Sequence, residues 1–408
     1  MFVSKSLFAW AGITLCSAAS LPSSSKQALL PKPTGPYQVG LSVTELIDYN
    51  RTQPFIQDKE PIKLMLSVFY RFTHHHNSTT SPYMPPETAL IEDIELSEQR
   101  LSAPNGTFES LAFDVASDQK CSDLTNQTSC EFPVVIFMPA ESTTRLFYNQ
   151  IASTIASIGY TVVTIDAPYD VDIVQYPDGS LAQINLTLWD ENNPSVALPT
   201  VYLAIQTRMA DVSFVLDSLS NTTLAHSLVP NLPPSGLNTT HTVMVGHSLG
   251  GATAYSILES DDRILGGLNM DGTLFGPGLP NGSSKPFMFI GHENHTRTNI
   301  ADDPCFELPC YTWEAGWSNL TGWKRDIIIS DTLHYDFSDY PIVFETLGIM
   351  PQNETLRTGL LLGTLGGKRT LEVVTTYVGT FLDFVIRGKY DKLLDGPMKR
   401  FPEVTFEY

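Results

Sequence analysis

The chemistry of this chain concentrates at Gly246-His247-Ser248-Leu249-Gly250. A serine hydroxyl is a weak nucleophile unless a base takes its proton, and that base needs an acid to orient it. Gly-x-Ser-x-Gly supplies such a serine when a strand runs into it and a helix leaves it, because the sharp turn tolerates only small neighbours. Both conditions are met: Thr242-Val243-Met244-Val245 precedes the motif and Gly251-Ala252-Thr253-Ala254 follows. A tight turn without chemistry fits the pentapeptide alone but not its flanks. Ser248 is the candidate nucleophile.

The partners should stand at the carboxyl ends of later strands, in the chain order Ser, acid, His. Asp271 closes the apolar run Ile264–Met270, although Asp271-Gly272 is also an ordinary turn dipeptide. Glu293 follows the next run, Pro286–Ile290, and competes for the same role; pattern alone leaves both open. For the base, His334 lies after Asp326–Ser330, downstream of Ser248 and of either acid. His247 sits inside the elbow and should point away from the serine, His226 and His241 precede it, and His292 and His295 belong to an earlier strand end. His74-His75-His76 reads as a solvated loop, since adjacent residues do not readily converge on one ion. No metal or organic cofactor is required.

The elements that would position these groups alternate between strand and helix. Ile62–Tyr70, Pro133–Met138 and Thr161–Asp166 are short β-branched or aromatic runs. Between the last two, Thr143–Ile158 carries Phe147, Ile151, Ile155 and Ile158 at helical spacing, with Ser142 as N-cap and Gly159 as the stop. Val201–Leu219 carries a stripe of Tyr202, Ile205, Met209, Val212 and Leu216, explained by a core-facing helix without any cofactor. Leu371–Arg387 closes the chain with Val374, Val378, Phe381 and Val385 on one face. This order predicts one doubly wound, mostly parallel α/β sheet, an α/β-hydrolase fold over 61–408 with an insertion around 167–240. Ala167–Pro199, long and rich in proline and aromatic residues, is a candidate lid or pocket wall, and residues 20–60 read as an extended lead-in.

Met1–Lys5 followed by the apolar Ser6–Leu15 and the small residues Ser17-Ala18-Ala19 has the pattern of a cleaved signal peptide ending near 19. Sequons at Asn50, Asn77, Asn105, Asn126, Asn185, Asn221, Asn238, Asn281, Asn294, Asn319 and Asn353 suit a glycosylated extracellular surface. Outside the signal, Cys121, Cys130, Cys305 and Cys310 allow three pairings, of which the two local ones, 121–130 and 305–310, are expected as disulfides. The formal charge of −20 becomes −21 without Lys5; such a field repels nucleic acid, and solubility explains most of it. No run is long enough to span a bilayer.

Four places together resemble the platelet-activating factor acetylhydrolase family, secreted calcium-independent serine phospholipases, in a fungal-type form. They are Gly35-Pro36-Tyr37-Gln38-Val39-Gly40, Gly246–Thr253, Met270-Asp271-Gly272, and His334 with Phe337-Ser338-Asp339 downstream. The resemblance implies Asp271 as the acid and His334 as the base. It implies an oxyanion hole of two backbone N–H groups, Leu249 and one from the loop after Pro133–Met138. That loop, Met138-Pro139-Ala140-Glu141, departs from the family's His-Gly turn; Pro139 has no N–H, leaving Ala140 or Glu141, with Glu141 at the matching position. The implied substrate is a phospholipid with a short or oxidised acyl chain at the second glycerol position, with transient contact to a lipid surface. Esterase action on non-lipid acetyl esters, and a catalytically silent extracellular binding module on the same fold, are the alternatives.

Overall fold

A computed structural model describes residues 27–72, 77–98, 106–116, 133–189, 194–230, 232–297 and 312–408. The signal-like segment, His74–His76, all four mature-chain cysteines, Asn105 and Asn126 lie outside these residues.

The described chain runs β1 (Ala28–Leu29), β2 (Gln38–Thr52), β3 (Pro61–Phe72), β4 (Ser78–Pro82), α1 (Pro86–Glu98), β5 (Leu111–Ala116) and β6 (Pro133–Met138). It continues with α2 (Asn149–Ser157), β7 (Thr161–Ile165), the hairpin β8 (Ile173–Gln175) and β9 (Leu181–Gln183), α3 (Pro194–Ser220) and α4 (Thr222–Leu228). Next come β10 (Asn238–His247), α5 (Leu249–Ser256), β11 (Ile264–Met270), β12 (Phe287–His292), α6 (Thr312–Asn319) and β13 (Lys324–Ile329). The chain closes with α7 (Tyr340–Leu347), α8 (Glu354–Gly359), α9 (Gly367–Arg387) and β14 (Val404–Phe406).

Nine strands form the main sheet in the order β14-β13-β12-β11-β10-β6-β7-β3-β2. The six from β13 to β7 are mutually parallel; β14, β3 and β2 pair antiparallel at the two ends. Strand alternation splits the core in two. Val135 and Phe137 of β6 and Val243 and Val245 of β10 meet α2 and α9 on one face. Val134, Ile136 and Met138, with Met244, meet α3 on the other. On α9, Val374, Val378 and Phe381 are buried as their spacing predicts.

Several expectations change in detail. Part of the 20–60 stretch is sheet, because β2 pairs along β3 from Gln38 to Thr52. Thr143–Ile158 is not one helix: a 3-10 turn, Arg145–Tyr148, precedes α2. Ser142 is not its cap; its N–H donates to Asp170 and its φ is 52°. The Asp166 carboxylate takes the Arg145 N–H at 2.7 Å and pairs with the Arg145 guanidinium, holding that turn out of helix. The distant Asp339 caps α2 instead, accepting from Gln150 N–H at 2.6 Å and Ile151 N–H at 3.1 Å. Helix α3 starts at Pro194, inside the expected loop, and Tyr202 of its stripe is 38% exposed while Ile205, Val212 and Leu216 are buried. Among the described sequons, Asn50, Asn77, Asn221, Asn238, Asn281 and Asn353 are exposed, and Asn185, Asn294 and Asn319 are half-buried.

Candidate active site

The elbow is built as its glycines require. Ser248 caps α5 at φ 53°, ψ −120°, a strained conformation for a non-glycine residue, which costs on the order of 1–3 kcal/mol. A Cβ on Gly246 would overlap Gly250, and one on Gly250 would overlap the Met138 carbonyl. The elbow therefore closes against the end of β6. Ser248 is half-buried, its N–H donates to the Met270 carbonyl at 2.8 Å, and its own carbonyl accepts from Gly251 and Ala252. The hydroxyl-bearing residue is thus tied to the strand end that carries Asp271.

Asp271 is fully buried and left-handed at φ 54°, with its N–H donating to Ile290 of β12 at 2.8 Å. His334 lies in the 3-10 turn His334–Phe337, and its Nδ1 is 2.6 Å from Asp271 Oδ2. The other carboxylate oxygen, Oδ1, faces His292 Nδ1 at 2.8 Å and His295 Nδ1 at 3.2 Å. Burial alone would raise the Asp271 carboxyl, but the two imidazoles of His292 and His295 outweigh it and hold the group well below the usual carboxylate range. Burial pushes His334 down to about 4, against the pull of Asp271, so its ring is neutral and able to accept a proton at neutral pH. Glu293, the rival acid, is exposed. Asp271, His292 and His295 also bring one donor atom each within 4.8 Å of one another. Hydrogen bonds to a single oxygen account for that closeness.

His247 turns away from solvent rather than toward it. Its Nδ1 is 2.8 Å from the Tyr148 hydroxyl, and its ring lies 4.6 Å from that of His334. Burial, and then the proximity of His334, push His247 well below its ordinary value, so the neighbour of the base is uncharged. The same Tyr148 hydroxyl accepts the Ala140 N–H at 3.0 Å. Of the two donors the sequence left for the oxyanion, the Ala140 N–H is therefore engaged by Tyr148; Leu249 opens α5, where helical N–H groups lack intrahelical acceptors.

The loop carrying Glu141 is clamped by a pair that sequence reasoning missed. Arg208 of α3 is buried and grips Asp170 through Nε and Nη2, both at 2.7 Å. Its Nη1 donates to the Pro139 carbonyl at 2.6 Å and Nη2 to the Ala140 carbonyl at 3.3 Å. The available signal was a lone arginine set within the apolar stripe of α3. Sequence reading sets His292 and His295 aside as the base because they belong to an earlier strand end than His334. Their proximity to Asp271 needed the β11–β12 pairing to be seen.

The described part of Ala167–Pro199 packs against Leu249, the residue after the serine. Phe55, Trp189, Val201 and Ile205 pack with Leu249 and Phe275, and Tyr169, Ile184 and Leu198 join them half-buried. The Phe55 and Trp189 rings are 6.3 Å apart.

The comparisons with known proteins fit this geometry. Residues 22–174 match the family model described as platelet-activating factor acetylhydrolase, isoform II. A protein of Arthroderma benhamiae named as a probable 1-alkyl-2-acetylglycerophosphocholine esterase is 31% identical across 95% of each chain. This chain belongs to the platelet-activating factor acetylhydrolase family. It is a carboxylic ester hydrolase on the α/β-hydrolase fold. The acetylhydrolase fold is shared with a solved ferulic acid esterase from Streptomyces cinnamoneus, at a TM-score of 0.73 and 24% identity over 94% of this chain and 100% of that one. In this acetylhydrolase-family chain, the family motif around Phe337–Asp339 has a structural use, since Asp339 caps α2 and accepts the Tyr83 hydroxyl at 3.0 Å. The N-terminal motif docks on α2 as well, with Gly35 and Tyr37 donating to Ser157. Among the described residues, no helix is long and apolar enough to cross a membrane.

Proposed function

We propose that Ser248, His334 and Asp271 are the catalytic triad of this ester hydrolase. The observation that carries the reading is His334 Nδ1 at 2.6 Å from Asp271 Oδ2, reached from a strand end hydrogen-bonded to the strained Ser248 elbow. The Ser248 hydroxyl attacks the ester carbonyl while His334 Nε2 takes its proton. The tetrahedral oxyanion is met by the N–H groups of Leu249 and Glu141. Collapse expels the alcohol, to which His334 returns the proton, and water then repeats the sequence on the acyl-enzyme. Asp271 keeps Nδ1 protonated and stabilises the imidazolium as it forms. Donors of this kind contribute about 10²–10³ each to the rate.

The substrate we assign is a glycerophospholipid with a short acyl chain at the second glycerol position, as in 1-alkyl-2-acetylglycerophosphocholine. The name of the Arthroderma relative supports it. We further assign the protein to the extracellular space on the strength of its N-terminal segment and sequons, and transient contact with lipid surfaces follows from the substrate assigned.

A fluorophosphonate probe should label the purified protein at Ser248 and leave Ser248→Ala unlabelled. That variant should lose about 10⁴–10⁶ in kcat while remaining folded. Unlabelled wild-type protein would point to a silent binding module. In a substrate panel, faster turnover of acetylated sugars than of short-acyl phospholipid would overturn the substrate assignment and leave the triad standing.

A further inference from the structure

We propose that His292 and His295 are positioning residues for the catalytic acid, occupying Asp271 Oδ1 so that Oδ2 alone is presented to His334. The proposal rests on the triad reading above. A carboxylate at the end of a strand can rotate about its side-chain bonds, and a triad acid that rotates loses its base. Here the backbone is fixed first. Asp271 N–H is held by Ile290, Gly272 N–H by Asn269 Oδ1 at 2.8 Å, and the Gly272 carbonyl by Asn269 Nδ2 and Trp313 Nε1, both at 2.7 Å.

The side chain is fixed second. Oδ1 faces His292 Nδ1 at 2.8 Å, His295 Nδ1 at 3.2 Å and the His292 N–H at 3.3 Å, whereas Oδ2 faces His334 Nδ1 at 2.6 Å. Three donors from one loop saturate one oxygen and a single donor from another takes its partner.

The loop supplying the three donors is itself anchored. His295 N–H donates to the His292 carbonyl at 3.0 Å, and the His295 ring lies 4.5 Å from that of Trp313. Two residues on, buried Arg297 reaches Asp326 and Glu314, each at 3.0 Å, and its N–H reaches Glu407. His295 is only 3% exposed, and among the described residues its Nε2 has no hydrogen-bond partner. An apolar ring would fill that space without orphaning a nitrogen, so what distinguishes histidine there is the bond its Nδ1 makes.

Electrostatics follow from the same geometry. Each Nδ1–H on Oδ1 draws negative charge from the carboxylate, which lowers the basicity of His334 across from it. Among the described residues, the other titratable groups facing this pair are His247 from β10, whose ring is 4.6 Å from His334, Tyr335, whose ring is 5.5 Å from it, and buried Asp336. Asp336 is satisfied by the N–H groups of Leu333 at 2.7 Å and Gly363 at 2.5 Å. Among the hydrogen bonds of the described residues, none of the three donates to Asp271.

The test compares His295→Phe with His295→Asn, whose amide N–H can replace Nδ1–H, by pH–rate profiles on a short-acyl ester. His295→Phe should lower kcat about 10-fold at unchanged KM, since it loosens the acid without touching substrate. It should also move the acid limb of kcat/KM up by about 1 pH unit, and His295→Asn should return both toward wild type. An unchanged kcat and limb in folded His295→Phe would overturn the proposal, as would a limb moving to lower pH. Should His295→Phe not fold, imidazole nitrogen NMR of the wild-type protein decides: protonated Nδ1 on His292 and His295 is expected, and Nε2–H tautomers on both overturn it. Asp271→Asn is run alongside. If that variant is severely impaired and His295→Phe is silent, only the positioning idea fails; if Asp271→Asn is mild, the triad reading fails.

Discussion

The two sides of the Ser248 elbow are held by different physics. On the acid side, Asp271 is surrounded by imidazoles from two other loops, all converging on one carboxylate. On the oxyanion side, the Pro139–Glu141 loop is held through its carbonyls by the buried Arg208–Asp170 pair and through the Ala140 N–H by Tyr148. Neutral and ionic hydrogen bonds to a charge that must stay charged dominate the first, while a bidentate ion pair that serves as a brace dominates the second. In the proposed triad the acid side therefore tunes a proton affinity, and the oxyanion side fixes a position. Substitutions on the first should register in kcat and pH profile, and substitutions on the second in stability and in transition-state binding.

The largest effect should come from the acid itself. Asp271→Asn should cost about 10⁴ in kcat by favouring the wrong tautomer of His334, whereas the exposed Glu293→Gln should leave kcat unchanged. The reverse result in steady-state kinetics would move the acid to β12. Next, Arg208→Met should destabilise the fold by about 3–5 kcal/mol in urea unfolding, since Asp170 is left buried without its cation. A smaller loss would mean that the brace is dispensable and the two sides are alike.

Tyr148→Phe is gentler: it strands the Ala140 N–H and the His247 Nδ1, costing about 1–3 kcal/mol of stability. In the wild type, kcat/KM should hold down to mildly acidic pH and fall only as pH drops through about 4, because protonated His334 cannot accept the serine proton. A limb near 6.5 would show an imidazole whose burial does not control it. The smallest effect concerns glycans and leaves catalysis untouched. Asn185 and Asn319 spend their side-chain N–H on the carbonyls of Phe55 at 2.7 Å and Leu279 at 2.8 Å. Glycopeptide mass spectrometry should find them less occupied than the exposed Asn221.

Local order made much of this readable in advance. Strands β6, β10 and β11 announce themselves as continuous β-branched and apolar runs because both of their faces are buried. The elbow reads from its glycines because nothing larger fits between α5 and the end of β6. Where reading failed, the controlling group was far away in the chain. Thr143–Ile158 has a helical pattern throughout, yet its first turn answers to Asp166 and its start to Asp339. Val201–Leu219 shows its stripe, but nothing local says that Arg208 within it will reach Pro139.

The sequence by itself determined the chemistry available to this acetylhydrolase: a serine that must sit in a strained turn, and an acid and a histidine in the order that a parallel sheet brings to one edge. Those features are local, set by side-chain size and backbone strain over a few residues. Only the tertiary structure decided which neighbours share the acid and which amide is withdrawn from the oxyanion side. His292, His295 and Tyr148 reach their partners through strand pairing and helix packing, and a contact made across the sheet leaves no periodic trace along the chain.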